Sequence, residues 1–265
     1  MKAFAHVYSG VVKHALPLLI ALLISAITLG VLMSLPASTW ADWRPATCLQ
    51  HGCFCERPNQ NSPIRQTANT ISSLGYIFSG ALALTSSKNA RRFSRGHAVI
   101  FGASSLVIGI GSAFYHASLT FTGQFFDVLG MFMLATLMLV YAFERIWGLR
   151  FAATVGLYLT IVLFLSLLQI SLPDTRRFVF ALALIIALFF EARYLKQQTP
   201  IIATKKLRLG ITLLAVAYVI WILDNTRIVC FETSLMQGHA LWHLLGAASV
   251  WLLYQYYASE VKQRS

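Results

Sequence analysis

Eight apolar stretches, none of which contains a lysine or arginine, divide this chain along its length. They cover residues 15–35, 66–86, 97–116, 123–143, 151–170, 178–190, 209–223 and 239–258. A helix needs about 20 apolar residues to cross a bilayer. Backbone N–H and C=O groups in hydrocarbon must be satisfied within the segment, so each stretch is expected to be a helix. The sixth and seventh are short as drawn and are expected to extend into their flanks. The fold expected is all-α, a polytopic membrane bundle. Charged residues make up 11% of the chain, against about a quarter in soluble domains. No internal repeat is visible, and no polar stretch is long enough for a separate soluble domain.

A net charge of +12 raises the question of nucleic acid, and the distribution of that charge answers it. With the N-terminus placed in the cytoplasm, alternate loops carry 15 of the 21 basic residues, from Lys2 and Lys13 through Lys88, Arg91, Arg92, Arg95, Arg145 and Arg150 to Lys262 and Arg264. The opposite side carries Arg44, Arg57, Arg65, Arg176, Arg177 and Arg227. This is the positive-inside pattern of a membrane protein with both termini cytoplasmic, and not a nucleic-acid footprint. The first apolar run competes with a signal peptide cleaved near Ala37 or Ala41, but it is long for one. It is read as a retained helix in an N-terminal unit of residues 1–38, followed by a membrane domain of residues 39–265.

Cys48, Cys53, Cys55 and Cys230 all fall on the non-cytoplasmic side, where disulfides persist. Four cysteines allow three pairings, and a metal cluster from Cys48, Cys53 and Cys55 is the alternative; their spacing is not CxxC and no fourth ligand is near.

Ionisable side chains within membrane helices are candidates for function. His6, His14, His51 and His97 lie in loops or at helix ends and are read as solvated. Ser112 and His116 are four residues apart, on one helix face, at the outer end of the third segment. Asp127 follows a short turn around Thr122–Gly123, at the outer start of the fourth. His239 and His243, again four apart, open the eighth. Singly, each has an ordinary account: an interhelical hydrogen bond for Ser112, a helix N-terminal acid for Asp127, backbone-bonded imidazoles for the histidines. Together they meet at one membrane depth. Three imidazoles suit zinc with a fourth position left for water. Asp127 would carry the proton and Ser112 would assist the ligand shell or an oxyanion. The set describes a metal-assisted hydrolase; a metal-stabilised receptor without turnover is the rival from another class.

Three blocks of sequence resemble the alkaline ceramidase family of seven-helix membrane amidases. They are Cys55–Glu56 with Ala68–Asn69–Thr70–Ile71–Ser72; Gly111–Ser112 through His116 to Asp127; and Leu223–Asp224–Asn225, Cys230 and His239–Ala240–Leu241–Trp242–His243. The resemblance implies a seven-helix core plus one additional N-terminal helix. It implies zinc on His116, His239 and His243, Asp127 as acid/base, Ser112 as its helper, and a Cys55–Cys230 disulfide. The implied reaction is hydrolysis of the amide of ceramide or another N-acyl lipid, and the implied partner is that membrane lipid. A bacterial inner membrane is the expected location. The sequence departs from the family at its calcium site. Glu56 is kept, but Cys53 and Gln66 stand where carboxylates are expected, and fewer carboxylates weaken calcium binding. Val128–Leu129–Gly130 also replaces an expected Glu and Pro.

Overall fold

The computed structural model describes residues 2–86 and 92–261, with side chains from residue 15 onward except His51. Lys88, Arg91, Lys262 and Arg264 therefore lie outside the described residues, as do the side chains of Lys2, His6, Lys13, His14 and His51. Nine helices follow one another among the described residues: α1 (Lys2–Met33), α2 (Thr67–Ser73), α3 (Gly75–Thr85), α4 (Arg95–Ser118), α5 (Phe121–Trp147), α6 (Phe151–Ser171), α7 (Arg176–Gln198), α8 (Thr204–Asn225) and α9 (Gly238–Tyr257). They contain no β-strand; one isolated bridge pairs Pro45 with Thr120. The sixth and seventh stretches do extend, to α7 and α8.

Six helices are long and apolar enough to cross a membrane: α4 to α8 and the 15–33 part of α1. The two remaining stretches are the interior ones. Residues 66–86 form two helices meeting at Leu74, and α9 carries His239 and His243. Both lie against other helices, which lets them carry polar side chains that a lipid-facing helix could not. Asn69, Thr70 and Ser73 are fully buried on α2.

Helices α4 and α5 make the most intimate pair. A β-carbon added at Gly111 would lie 2.6 Å from the backbone of Phe126, and one at Gly130 would lie 2.5 Å from the backbone nitrogen of Ile108. Only glycine lets the two backbones approach so closely, the usual device of packed membrane helices. The connection between them lies at Leu119–Thr120, earlier than the expected turn at Thr122–Gly123. Leu119 closes α4 with φ 50°, and Thr120 caps α5 by accepting from the Gly123 N–H at 3.1 Å. Thr122 and Gly123 already belong to the first turn of α5.

At the opposite end of the bundle two sequence assignments need correction. His97, read as solvated, is buried: its Nε2 meets Glu144 at 2.9 Å and its Nδ1 meets the Ser94 hydroxyl at 2.8 Å. Arg145, placed in a loop, lies in the last turn of α5 and is buried between Glu191 of α7 and Glu260 after α9. Tyr141 and Tyr194 donate to Glu260, and Tyr256 and Tyr257 to Glu191. A reading by apolar windows assigns helix ends to loops and cannot see that such an end is covered. Buried ions persist only when paired and hydrogen-bonded, and this cluster meets both conditions.

Candidate metal centre

His116 comes from the last turn of α4, and His239 and His243 from the first two turns of α9. All three are buried, and the ligand nitrogens they offer lie within 4.8 Å of one another. Among the described residues no other group of three such side chains is assembled in this way.

The supporting bonds determine which nitrogen each ring presents. The Gln66 side-chain nitrogen donates to the Glu56 carbonyl at 2.8 Å, leaving its Oε1, a pure acceptor, 2.8 Å from His116 Nδ1. His116 Nδ1 must therefore carry the proton, and its Nε2 is a lone pair. The same logic holds for His243. Ser72 and Ser73 give their hydroxyl protons to the Asn69 carbonyl at 3.0 and 2.7 Å. Their oxygens, 2.9 and 3.3 Å from His243 Nδ1, can then only accept. His243 Nε2 is left free, 3.3 Å from Ser112 Oγ. His239 Nε2 faces His116 Nε2 at 3.1 Å, while its Nδ1 is buried without a protein partner. His116 and His243, each with its outer nitrogen held by a hydrogen bond, turn lone pairs toward the place that His239 Nε2 also faces, and this donor set fits a divalent cation.

The sequence alone gives Gln66, Ser72 and Ser73 no role at the histidines. Gln66 figured only as a missing calcium carboxylate, and its position beside His116 arises from packing alone.

The loop before α2 roofs the cluster. Disulfides join Cys48 to Cys53 and Cys55 to Cys230, which resolves the three possible pairings and removes the cysteine metal cluster. Phe54, held between Cys53 and Cys55, stacks on His239 with ring centroids 3.9 Å apart. Asp224, at the end of α8, accepts from the backbone N–H of Cys55 at 3.2 Å and of His239 at 3.0 Å, tying roof to ligand helix. Glu56, the candidate calcium ligand, turns both carboxylate oxygens to the backbone N–H groups of Ala68 and Asn69, at 2.7 and 2.9 Å. It caps the start of α2, where a negative charge is favoured. Burial nonetheless holds it above the ordinary carboxylate range, outweighing those N–H bonds.

A cleft of about 750 Å³ opens from the cluster and is walled by Ser112, Asp127, His239 and His243. Asp127 is half-buried there, and the Ser112 hydroxyl lies between it and His243. The Gly111 crossing creates this juxtaposition by bringing the backbones of Ser112 and Asp127 together. An apolar cavity shares Tyr76, Ile108, Met131, Phe180 and Trp242 with the cleft and continues between the helices. Lone-pair donors for a cation, a carboxylate, a hydroxyl and an adjoining apolar cavity are the parts a hydrolase of lipid amides requires.

The family model for ceramidases matches residues 53–264. The chain belongs to the ceramidase family. It is also similar to a Dictyostelium discoideum protein named "Putative alkaline ceramidase dcd3B", with 27% identity over 189 residues, 63% of this chain. That alignment spans 65% of the relative's length. Family membership and the six apolar helices make this an integral membrane protein. The match begins at Cys53, so α1 lies outside it.

Proposed function

We propose that this ceramidase-family protein is a zinc-dependent intramembrane hydrolase that cleaves the amide of ceramide or a similar N-acyl lipid. The observation that carries the reading is the convergence of His116, His239 and His243 at the base of a cleft that also holds Asp127 and Ser112. The three histidines would hold the metal. When bound there, zinc supplies a Lewis acid for the amide carbonyl and lowers the pKa of a water molecule to about 7.

The protein's own residues do the rest. Asp127 takes a proton from the attacking water and delivers it to the leaving nitrogen. Ser112, between Asp127 and His243, donates toward the developing oxyanion. The amide C–N bond breaks, hydroxide adds to the acyl carbon, and the proton passes to nitrogen, so the products are a fatty acid and a free base. The lipid reaches the cleft laterally, with one chain in the cavity below Trp242. The reading places both termini in the cytoplasm and the metal centre near the opposite face of a bacterial inner membrane. The asymmetry of basic residues and the disulfides beside the site support that orientation. Residues 39–265 form the hydrolase domain, with α1 as an accessory helix.

The test measures zinc content and fatty-acid release from ceramide on the same purified sample. Wild type is expected to hold one zinc and to turn over. His239→Ala should lose both, and Asp127→Asn should keep zinc and lose turnover. Retained turnover in either variant refutes the mechanism; zinc without turnover in the wild type moves the substrate to another acyl lipid.

A further inference from the structure

Arg176 and Arg177 open α7, and both line the metal cleft. They are among the six basic residues on the side of the chain that carries few. Arg176 is only 6% exposed. Its Nη1 donates to Thr47 Oγ1 and to the Pro173 carbonyl, each at 2.8 Å. The nearest carboxylate, on Asp174, is 4.0 Å away and 85% exposed to the outside. Arg177 is half-buried with its guanidinium 5.0 Å from the centre of the Trp221 ring, and it forms no ion pair among the described residues.

Two cations in the first turn of a helix oppose the helix dipole, which already presents positive charge at that end. Their location beside three histidines poised for a divalent cation compounds the imbalance. Among the described residues the one carboxylate lining the cleft with them is Asp127, which cannot neutralise both guanidinium groups and the metal. Uncompensated charge in a low-dielectric cleft is costly. A neutral lipid leaves that cost in place, whereas an oxyanion on the lipid would remove it through charge-assisted, bidentate hydrogen bonds.

We infer that the lipid cleaved here carries an anionic head group, a phosphate, sulfonate or carboxylate near the amide, and that Arg176 and Arg177 receive it. The inference rests on the amide-hydrolase reading and narrows its substrate class. Arg177, which reaches the cleft without a protein anion, is the more direct determinant; Arg176 is braced by Thr47 and fixes the geometry.

The full-length protein is assayed with ceramide, ceramide 1-phosphate and N-acylserine of one acyl length, and the ratio of kcat/KM for each anionic lipid to that for ceramide is read. Wild type is expected to favour at least one anionic lipid by about tenfold, the worth of one charge-assisted hydrogen bond. Arg177→Gln should bring that ratio close to one, and Arg177→Lys should retain part of it. A wild-type ratio of one or below overturns the inference. So does a ratio that survives Arg177→Gln while both activities fall together, since the arginine would then act only on Asp127 or on the fold. Lipid binding is measured in parallel. If no lipid is turned over, the hydrolase reading fails, and the ratio of Kd values with its response to Arg177→Gln still decides the anion inference.

Discussion

Substituting Gly111 by alanine tests how closely the reactive groups depend on the α4–α5 crossing. The new β-carbon would stand 2.6 Å from the carbonyl carbon and oxygen of Phe126 and 2.9 Å from the Asp127 nitrogen. Non-bonded carbons settle at about 3.5–4.0 Å, so α5 must withdraw by about 1 Å, because the obstacle is backbone and cannot rotate away. Overpacking of this kind costs about 1–3 kcal/mol, which a packed bundle tolerates. The effect on chemistry is larger, since a misplacement of about 1 Å between reacting groups lowers a rate about 100-fold. None of the three histidines lies on α5, so the metal should stay. The expected result is a full complement of zinc with kcat for N-acyl lipid hydrolysis reduced about 100-fold. Gly156→Ala serves as the control, because no atom lies within 4 Å of its added carbon. Wild-type turnover in Gly111→Ala would show that Asp127 need not sit against Ser112. Loss of zinc in that variant would show that the crossing supports the ligands and not the carboxylate.

Other consequences can be checked alongside. Gln66→Leu removes the acceptor that fixes the His116 tautomer and should weaken zinc affinity about 10- to 100-fold, measured by competition with a chelator. Glu56→Ala leaves the first N–H groups of α2 uncapped in a buried place and should cost about 1–3 kcal/mol, read as a lower thermal midpoint in detergent. Glu232 is held below the usual carboxylate range by hydrogen bonds and charge from Arg57. Its tie between the loop before α2 and the loop before α9 is therefore complete above its ordinary value of 4.5 and is lost as pH falls through the lowered one. A carbon-detected NMR titration should give a midpoint under 4.5 that returns upward in Arg57→Gln.

The parts of the molecule that were legible in the sequence are those set by period and composition. The apolar stretches gave the helices because hydrocarbon forbids other backbone, and the four-residue spacings put Ser112 with His116, and His239 with His243, on one helix face each. What escaped depends on contacts between distant segments. Gln66 and Ser72 hold their histidines from 50 and 171 residues away, and although both lie in or beside a family-like block, nothing local shows which imidazole each one meets. Asp224 was noticed within a motif, but its grip on both Cys55 and His239 follows only from the packing of α8 on α9. His97 and Arg145 were misplaced because a helix end looks like a loop in one dimension.

Phe54 sits between the two disulfides. Its ring covers His239, and each of its chain neighbours is fastened by a disulfide, one local and one reaching 175 residues along the chain. With the thiols reduced, the segment keeps the Asp224 and Glu56 hydrogen bonds on one side of the ring but loses both covalent ties. A newly made chain thus carries His116, His239 and His243 before the roof over His239 is covalently closed. Oxidation closes the roof on both sides of Phe54, a covalent step distinct from the packing of the helices.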